Sequence, residues 1–121
     1  MTSFDHVDTV TPLVIWNGVV GRALPGEQVT LALIELDPDS VVPEHAHANE
    51  QVGILLRGSL RFRIGDEERE LLRGATWSIP AHAPHEVHAG PEGATLVEAF
   101  APARADWAAL ERLDAAPPRL F

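Results

Sequence analysis

The sequence contains no cysteine and no lysine. Without cysteine, disulfides, thiolate metal sites and cysteine nucleophiles are all excluded. Its 9 basic residues are all arginines and face 18 acidic ones, for a formal net charge of −9. A chain of that sign repels phosphate at long range, which argues against nucleic-acid and anionic-membrane partners. A small anionic substrate stays possible where arginines converge on it. Long apolar runs are also missing, and none approaches the length of a transmembrane helix. Residues 1–8 carry Asp5 and Asp8 and no cationic stretch before an apolar run, so no secretory signal is expected and the expected location is the cytoplasm. What is present is 121 residues with 45% hydrophobic content, enough for one core and one domain spanning 1–121.

Strand formers separated by turn signals dominate the chain. Residues 1–9 read as a loose lead-in, with His6 an end residue. Residues 11–16 and 19–22 read as short strands around Asn17-Gly18, the second closed by Pro25-Gly26. A long apolar run over 28–36 stops at 37–40. Strands follow over 51–56 and 60–64, parted by Arg57-Gly58; Leu60, Phe62 and Ile64 alternate with Arg61 and Arg63, which buries one face. Residues 65–68 form a hairpin turn into a return strand over 69–72. Gly74, the 78–80 step and Pro84 mark corners, and strands over 86–89 and 95–100 flank a break at 90–93. About nine short strands without intervening helices predict an all-β sandwich or barrel. Only the tail changes period: Asp106 can cap a short helix carrying Trp107, Leu110 and Leu113, ended by Pro117-Pro118.

The segment 43–51, Pro-Glu-His-Ala-His-Ala-Asn-Glu-Gln, carries the clearest chemistry. Residues i and i+2 of a strand share a side, so His45 and His47 can reach one ion, and a turn at Ala48-Asn49 returns Gln51 toward it. Imidazole nitrogens are common ligands of borderline divalent metals, and an amide oxygen can complete the set. His85, after Pro84, is the partner further along. Glu98 stands in an otherwise apolar strand, and a buried carboxylate is costly unless it is paired or functional. His88 reads as a surface residue, and His82 as a turn residue near the site. Trp16, Trp77 and Trp107 read as core or interface residues. Arg57, Arg61, Arg63, Arg69 and Arg73 read as a solvated face balanced by Glu67, Glu68 and Glu70.

Gln51 follows His47 by four residues and precedes Gly58 by seven; Gly74 lies six before Pro80, and His85 five after it. This spacing resembles the paired signature of the cupin superfamily over residues 29–107. The resemblance implies a double-stranded β-helix (a jelly-roll barrel over about 29–100), with an N-terminal arm over 1–27 and a C-terminal tail over 101–121. It also implies one divalent metal ion (zinc, nickel, manganese or iron) on the four ligand positions His45, His47, Gln51 and His85. Gln51 stands where many cupins have glutamate, His82 where glycine is common, and Ala89 where asparagine is common.

The stretch 98–107 together with Asn49-Glu50-Gln51 is similar to small single-domain cupins of pectin degradation that convert unsaturated uronates to a linear ketone form. That likeness implies three further residues around the metal: Glu98 as the catalytic acid (usually aspartate in that group), Phe100 as substrate-binding, and Arg104 as a catalytic and substrate-binding clamp for a carboxylate. The neutral ligand set would leave a divalent ion its full charge. This favours Lewis-acid isomerase or lyase chemistry on an unsaturated sugar acid or keto acid over an iron-dependent dioxygenase. A small-molecule or metal-binding cupin without turnover is the third reading. Small cupins commonly pair, so a homodimer is expected, with the segment 11–20 around Trp16 crossing to the partner.

Overall fold

The protein was analysed as a computed structural model, which describes residues 3–121. Eight strands make one antiparallel sheet that curls into a jelly-roll barrel: β1 (Leu13–Trp16), β2 (Val19–Pro25), β3 (Thr30–Leu36), β4 (Val41–His45), β5 (Glu50–Ile64), β6 (Glu67–Leu72), β7 (Thr76–Ile79) and β8 (His85–Ala101). Neighbours run β1-β2-β3-β8-β5-β6, with β4 on β8 and β7 on β5. Leu55, Leu60, Ile79, Ala94 and Leu96, each at most 3% exposed, lie in the core together with Trp77, Phe100 and Trp107. No helix among the described residues is long and apolar enough to cross a membrane.

The barrel depends on β5 and β8, 15 and 17 residues long, which pair from Glu50↔Ala101 to Ile64↔His85. Each strand serves two neighbours in succession. β5 pairs with β7 in its first half and β6 in its second, while β8 pairs with β4 and then β3. The turn signals at Arg57-Gly58 and at 90–93 therefore bend these strands and do not end them. Register shifts fall at Leu55/Arg57 and Gly58/Leu60. Gly58 has φ +81°, and a Cβ there would sit 1.9 Å from the Gly93 carbonyl oxygen. Glycine inside a strand allows the close backbone approach that a barrel corner requires. One strand was missed: β7 occupies the stretch read as a corner at 78–80, where Trp77 and Ile79 point inward and Thr76 and Ser78 outward.

Within the lead-in, the described residues around 7–9 are more ordered than their composition predicts. A 3-10 turn spans Val7–Thr9, and His6 Nδ1 caps it by accepting the Asp8 N–H at 3.2 Å. Met1 and Thr2, part of that lead-in, lie outside the described residues. The tail holds one turn of 3-10 helix, Ala105–Ala109. Asp106 does not cap it; Arg104 is the N-cap and makes no side-chain cap bond. Beyond this turn the tail crosses the sheet. Leu13 bridges Arg112, Arg22 binds the Ala116 carbonyl at 2.8 Å and also pairs with Glu35, and Thr95 donates to the Arg119 carbonyl at 2.8 Å. Part of the outer edge of β1 is thus paired within the chain.

Candidate metal centre

Three histidines meet inside the barrel. His45 ends β4 opposite His85, which begins β8. His47 lies two residues beyond the end of β4, in the loop to β5, so the strand alternation that pairs it with His45 on paper does not place it. Hydrogen bonds place it instead: the His82 N–H donates to the His47 carbonyl at 2.7 Å. His82 has φ +67°, which accounts for the frequency of glycine at this corner in the resembling family. Its side chain is exposed, and its contribution is through the backbone.

The ring centroids lie 4.2 Å apart for His45 and His85, 5.0 Å for His47 and His85, and 5.4 Å for His45 and His47. One nitrogen from each ring falls within 4.8 Å of the other two, a grouping able to hold a metal ion. The tautomers are set alike. Nδ1 of His45, His47 and His85 lies 2.8, 3.0 and 2.9 Å from the carbonyls of Pro43, Asn49 and Ala83, and so acts as the donor. That leaves each Nε2 as a bare lone pair, the arrangement by which proteins orient imidazole ligands. Nε2 of His47, Nε2 of His85 and Oε1 of Gln51 are all buried without a hydrogen-bond partner. Orphaned buried acceptors each cost about 1–3 kcal/mol, and a cation resolves them together. The residues fit a divalent ion.

Gln51 is buried while Glu50 faces solvent, as the strand alternation requires. The Gln51 amide nitrogen donates to Glu98 Oε2, which also accepts the Trp77 indole N–H at 2.8 Å. Spending the amide N–H₂ on Glu98 turns Oε1 to the free side. Burial pushes the Glu98 carboxyl above the usual carboxylate range; the Gln51 and Trp77 donors and the Arg104 charge pull the other way. Trp77 is pinned by Gly53, where a Cβ would come within 2.5 Å of the indole. Trp77 lies in the core, in line with its reading as a core or interface residue; its bond to Glu98 was not foreseen.

Arg104 is held above the site. Its guanidinium lies 5.0 Å from the Phe100 ring centroid and 4.7 Å from that of Trp107. Nε and Nη2 bind the two Asp106 oxygens at 3.1 and 3.0 Å, and the Arg104 N–H donates to Thr30 Oγ1 at 2.9 Å. Nη1 makes no hydrogen bond among the described residues. Asn49 donates to the Pro102 carbonyl at 2.6 Å, tying the histidine loop to the segment that carries Arg104. Asp106 and Thr30 therefore support the site in ways the sequence reading missed: Asp106, inside the stretch 98–107, read as a helix cap, and Thr30 neighbours no motif. Phe100 walls the cavity, as does Trp16, 5.5 Å from His45. His88 is turned away, bonded to Glu86 at 2.7 Å on the sheet's outer side. Of the surface arginines, Arg61 pairs with Glu68 and Arg69 with Glu67 as expected, whereas Arg63 pairs with Glu44 and Glu86, and Arg57 binds the Thr95 hydroxyl and the Glu92 carbonyl.

Burial lowers the pKa of His47 and, to about 4, that of His85; the Arg104 charge adds to both shifts. A depressed histidine pKa means that the unfolded chain takes up protons first as the pH falls. The two histidines' share of the stability of metal-free protein should accordingly be complete above pH 6.5 and be lost progressively from 6.5 to about 4. Denaturant midpoints measured across that window check this, and a flat profile would count against it.

The sequence model of the cupin domain family matches residues 32–100. An RmlC-like cupin from Shewanella frigidimarina superposes with a TM-score of 0.80 at 23% identity, covering 88% of this chain and 96% of that one. KdgF from a Halomonas species gives a TM-score of 0.80 at 20% identity, covering 88% and 98%. An oxalate decarboxylase from Bacillus subtilis gives 0.68 at 22%, covering 84% of this chain and 31% of its own length. At these identities the likeness speaks for the fold. No curated protein matches the chain.

Proposed function

Because the chain belongs to the cupin domain family, and its barrel gathers three oriented imidazoles, we propose that it is a metal-dependent enzyme acting on a small anionic molecule by Lewis-acid isomerase or lyase chemistry. His45, His47, Gln51 and His85 hold one divalent ion. The observation that carries this reading is the set of buried, unpartnered acceptors, Nε2 of His47 and His85 and Oε1 of Gln51. An ion with only neutral ligands keeps its charge and supplies strong polarisation of a carbonyl or hydroxyl.

The chain's own residues supply the rest. Arg104 has Nη1 free to donate to a carboxylate and is kept oriented by Asp106 and by the rings of Phe100 and Trp107. Glu98 engages its donors through Oε2, which leaves Oε1 to take or give a proton, and its burial favours the protonated form. Phe100 and Trp107 keep water from the anionic end. Arg104→Ala should weaken substrate binding by about 1.5–3 kcal/mol, the range for a well-formed charged hydrogen bond, with less effect on the chemical step. Steady-state KM and kcat measured separately check that split.

The test of the whole reading is turnover of unsaturated galacturonate or keto acids, lost on chelation and indifferent to dioxygen. Oxygen uptake by the iron-loaded protein on diketones or flavonols, with the acids inert, would replace this reading with a dioxygenase. Tight binding without product would leave a binding protein.

For assembly, the proposal is a homodimer meeting through the segment 11–20. The β1 edge is bonded to β2 on one side, and near Leu13 it meets the tail on the other, through Val14 to Glu111 and Leu113 to Pro12, each at 2.9 Å. The contact would therefore use side-chain faces or displace the tail. Light scattering at micromolar concentration should give the dimer mass, and a monomer mass would overturn this.

A further inference from the structure

The cavity beneath Arg104 encloses about 250 Å³. Its ionisable and amide groups are confined to the histidine cluster with Gln51 and Glu98, and to Arg104 with Asp106 at the mouth; the indole N–H groups of Trp16 and Trp107 are the other polar groups of its lining. The remaining wall is largely aliphatic and aromatic, including Ile15, Val19, Ile34, Leu36, Val87 and Leu110. None of these six side chains can donate or accept a hydrogen bond.

Most donors of these groups are committed. Each histidine Nδ1 is spent on a backbone carbonyl, one Gln51 amide N–H and the Trp77 indole N–H on Glu98, and the Arg104 Nε N–H and one Nη2 N–H on Asp106. Backbone groups of the surrounding strands are engaged in the sheet ladders. What stays open to a ligand is Arg104, through Nη1 and the second N–H of Nη2, together with Glu98 Oε1, the indole N–H groups of Trp16 and Trp107 and whatever the metal offers. The charged donors of that short inventory sit together on Arg104, which suits one carboxylate. A hydroxyl against the aliphatic part of the wall would lose its water partners and gain none, and each such group adds a desolvation cost.

We propose that the ligand of this site is a small carboxylate with a hydrocarbon body, of the branched or aryl keto-acid kind, and not a polyhydroxylated sugar acid. The inference rests on the reading above and narrows it to one of its two substrate classes. The anionic end lies under Arg104, the oxygen beside it reaches toward the histidine cluster, and the hydrocarbon body fills the pocket along Ile34, Leu36 and Val87. Leu110, half-buried at the mouth, closes over the tail of the ligand.

Titration calorimetry of the zinc-loaded protein separates the two classes with ligands of equal charge. α-Ketoisocaproate should bind about tenfold or more tighter than galacturonate, from the apolar surface it buries. Leu110→Asn should erase most of that difference while leaving the zinc content unchanged, because this side chain is only half-buried and lies outside the ligand set. Equal or tighter binding of galacturonate would overturn the inference and leave the anion-binding, metal-dependent reading standing. If neither carboxylate bound to protein carrying its full zinc, the inference and the anionic-substrate reading would both fall, with the metal site unaffected.

Discussion

Replacing His47 by alanine should reduce the bound divalent ion from about one equivalent per chain to near zero. His47 contributes one of three converging imidazoles, and its Nε2 is buried without any other partner. Removing it leaves two imidazoles and an amide oxygen, which form too weak a set to hold a divalent ion through purification. The side chain belongs to a loop, so the barrel strands do not depend on it, and the variant should fold. Elemental analysis gives the stoichiometry. A second readout is thermal: added zinc should raise the wild-type melting temperature strongly, since a ligand at a thousandfold excess over its Kd stabilises by about 4 kcal/mol, and should barely move the variant. A variant that kept a full equivalent would sink the assigned ligand set.

Glu98→Gln should lower turnover by at least about a hundredfold, the scale of a lost general acid–base group, with metal content and melting temperature close to wild type. The two side chains have nearly the same shape, and a glutamine oxygen can still accept from Trp77. What goes is the exchangeable proton at Oε1. The two readouts separate the roles. If Glu98 serves only to turn the Gln51 amide, activity and metal affinity should fall together. If it moves a proton, activity falls alone. Undiminished turnover would remove Glu98 from the chemistry altogether.

How legible each part was depends on how local its cause is. The alternation of Leu60, Phe62 and Ile64 with arginines reports a half-buried strand because side-chain direction along a strand has a fixed period. His45, His47 and Gln51 were readable as a group because one short loop brings them together, and His85 because it follows a second corner of the same kind. The breaks read at Gly58 and at 90–93 were wrong. A glycine that ends a strand and one that lets a strand bend past a carbonyl oxygen that leaves no room for a Cβ are the same residue in one dimension. β7 was invisible because four residues carry too little periodicity, and only its pairing with β5 defines it.

The sequence by itself determined the all-β architecture, the family resemblance and the histidine pair, since each follows from patterns spanning a few residues or from spacing between them. Tertiary structure alone decided the environment. It put Glu98 against Gln51 across 47 residues and against Trp77 across 21, set Arg104 between two rings with Asp106 as its counter-ion, and lined most of the rest of the cavity with aliphatic and aromatic side chains. The reason is that burial, charge pairing and hydrogen-bond satisfaction depend on which distant residues share a volume. A linear pattern constrains the period of a strand, not the neighbours across the barrel.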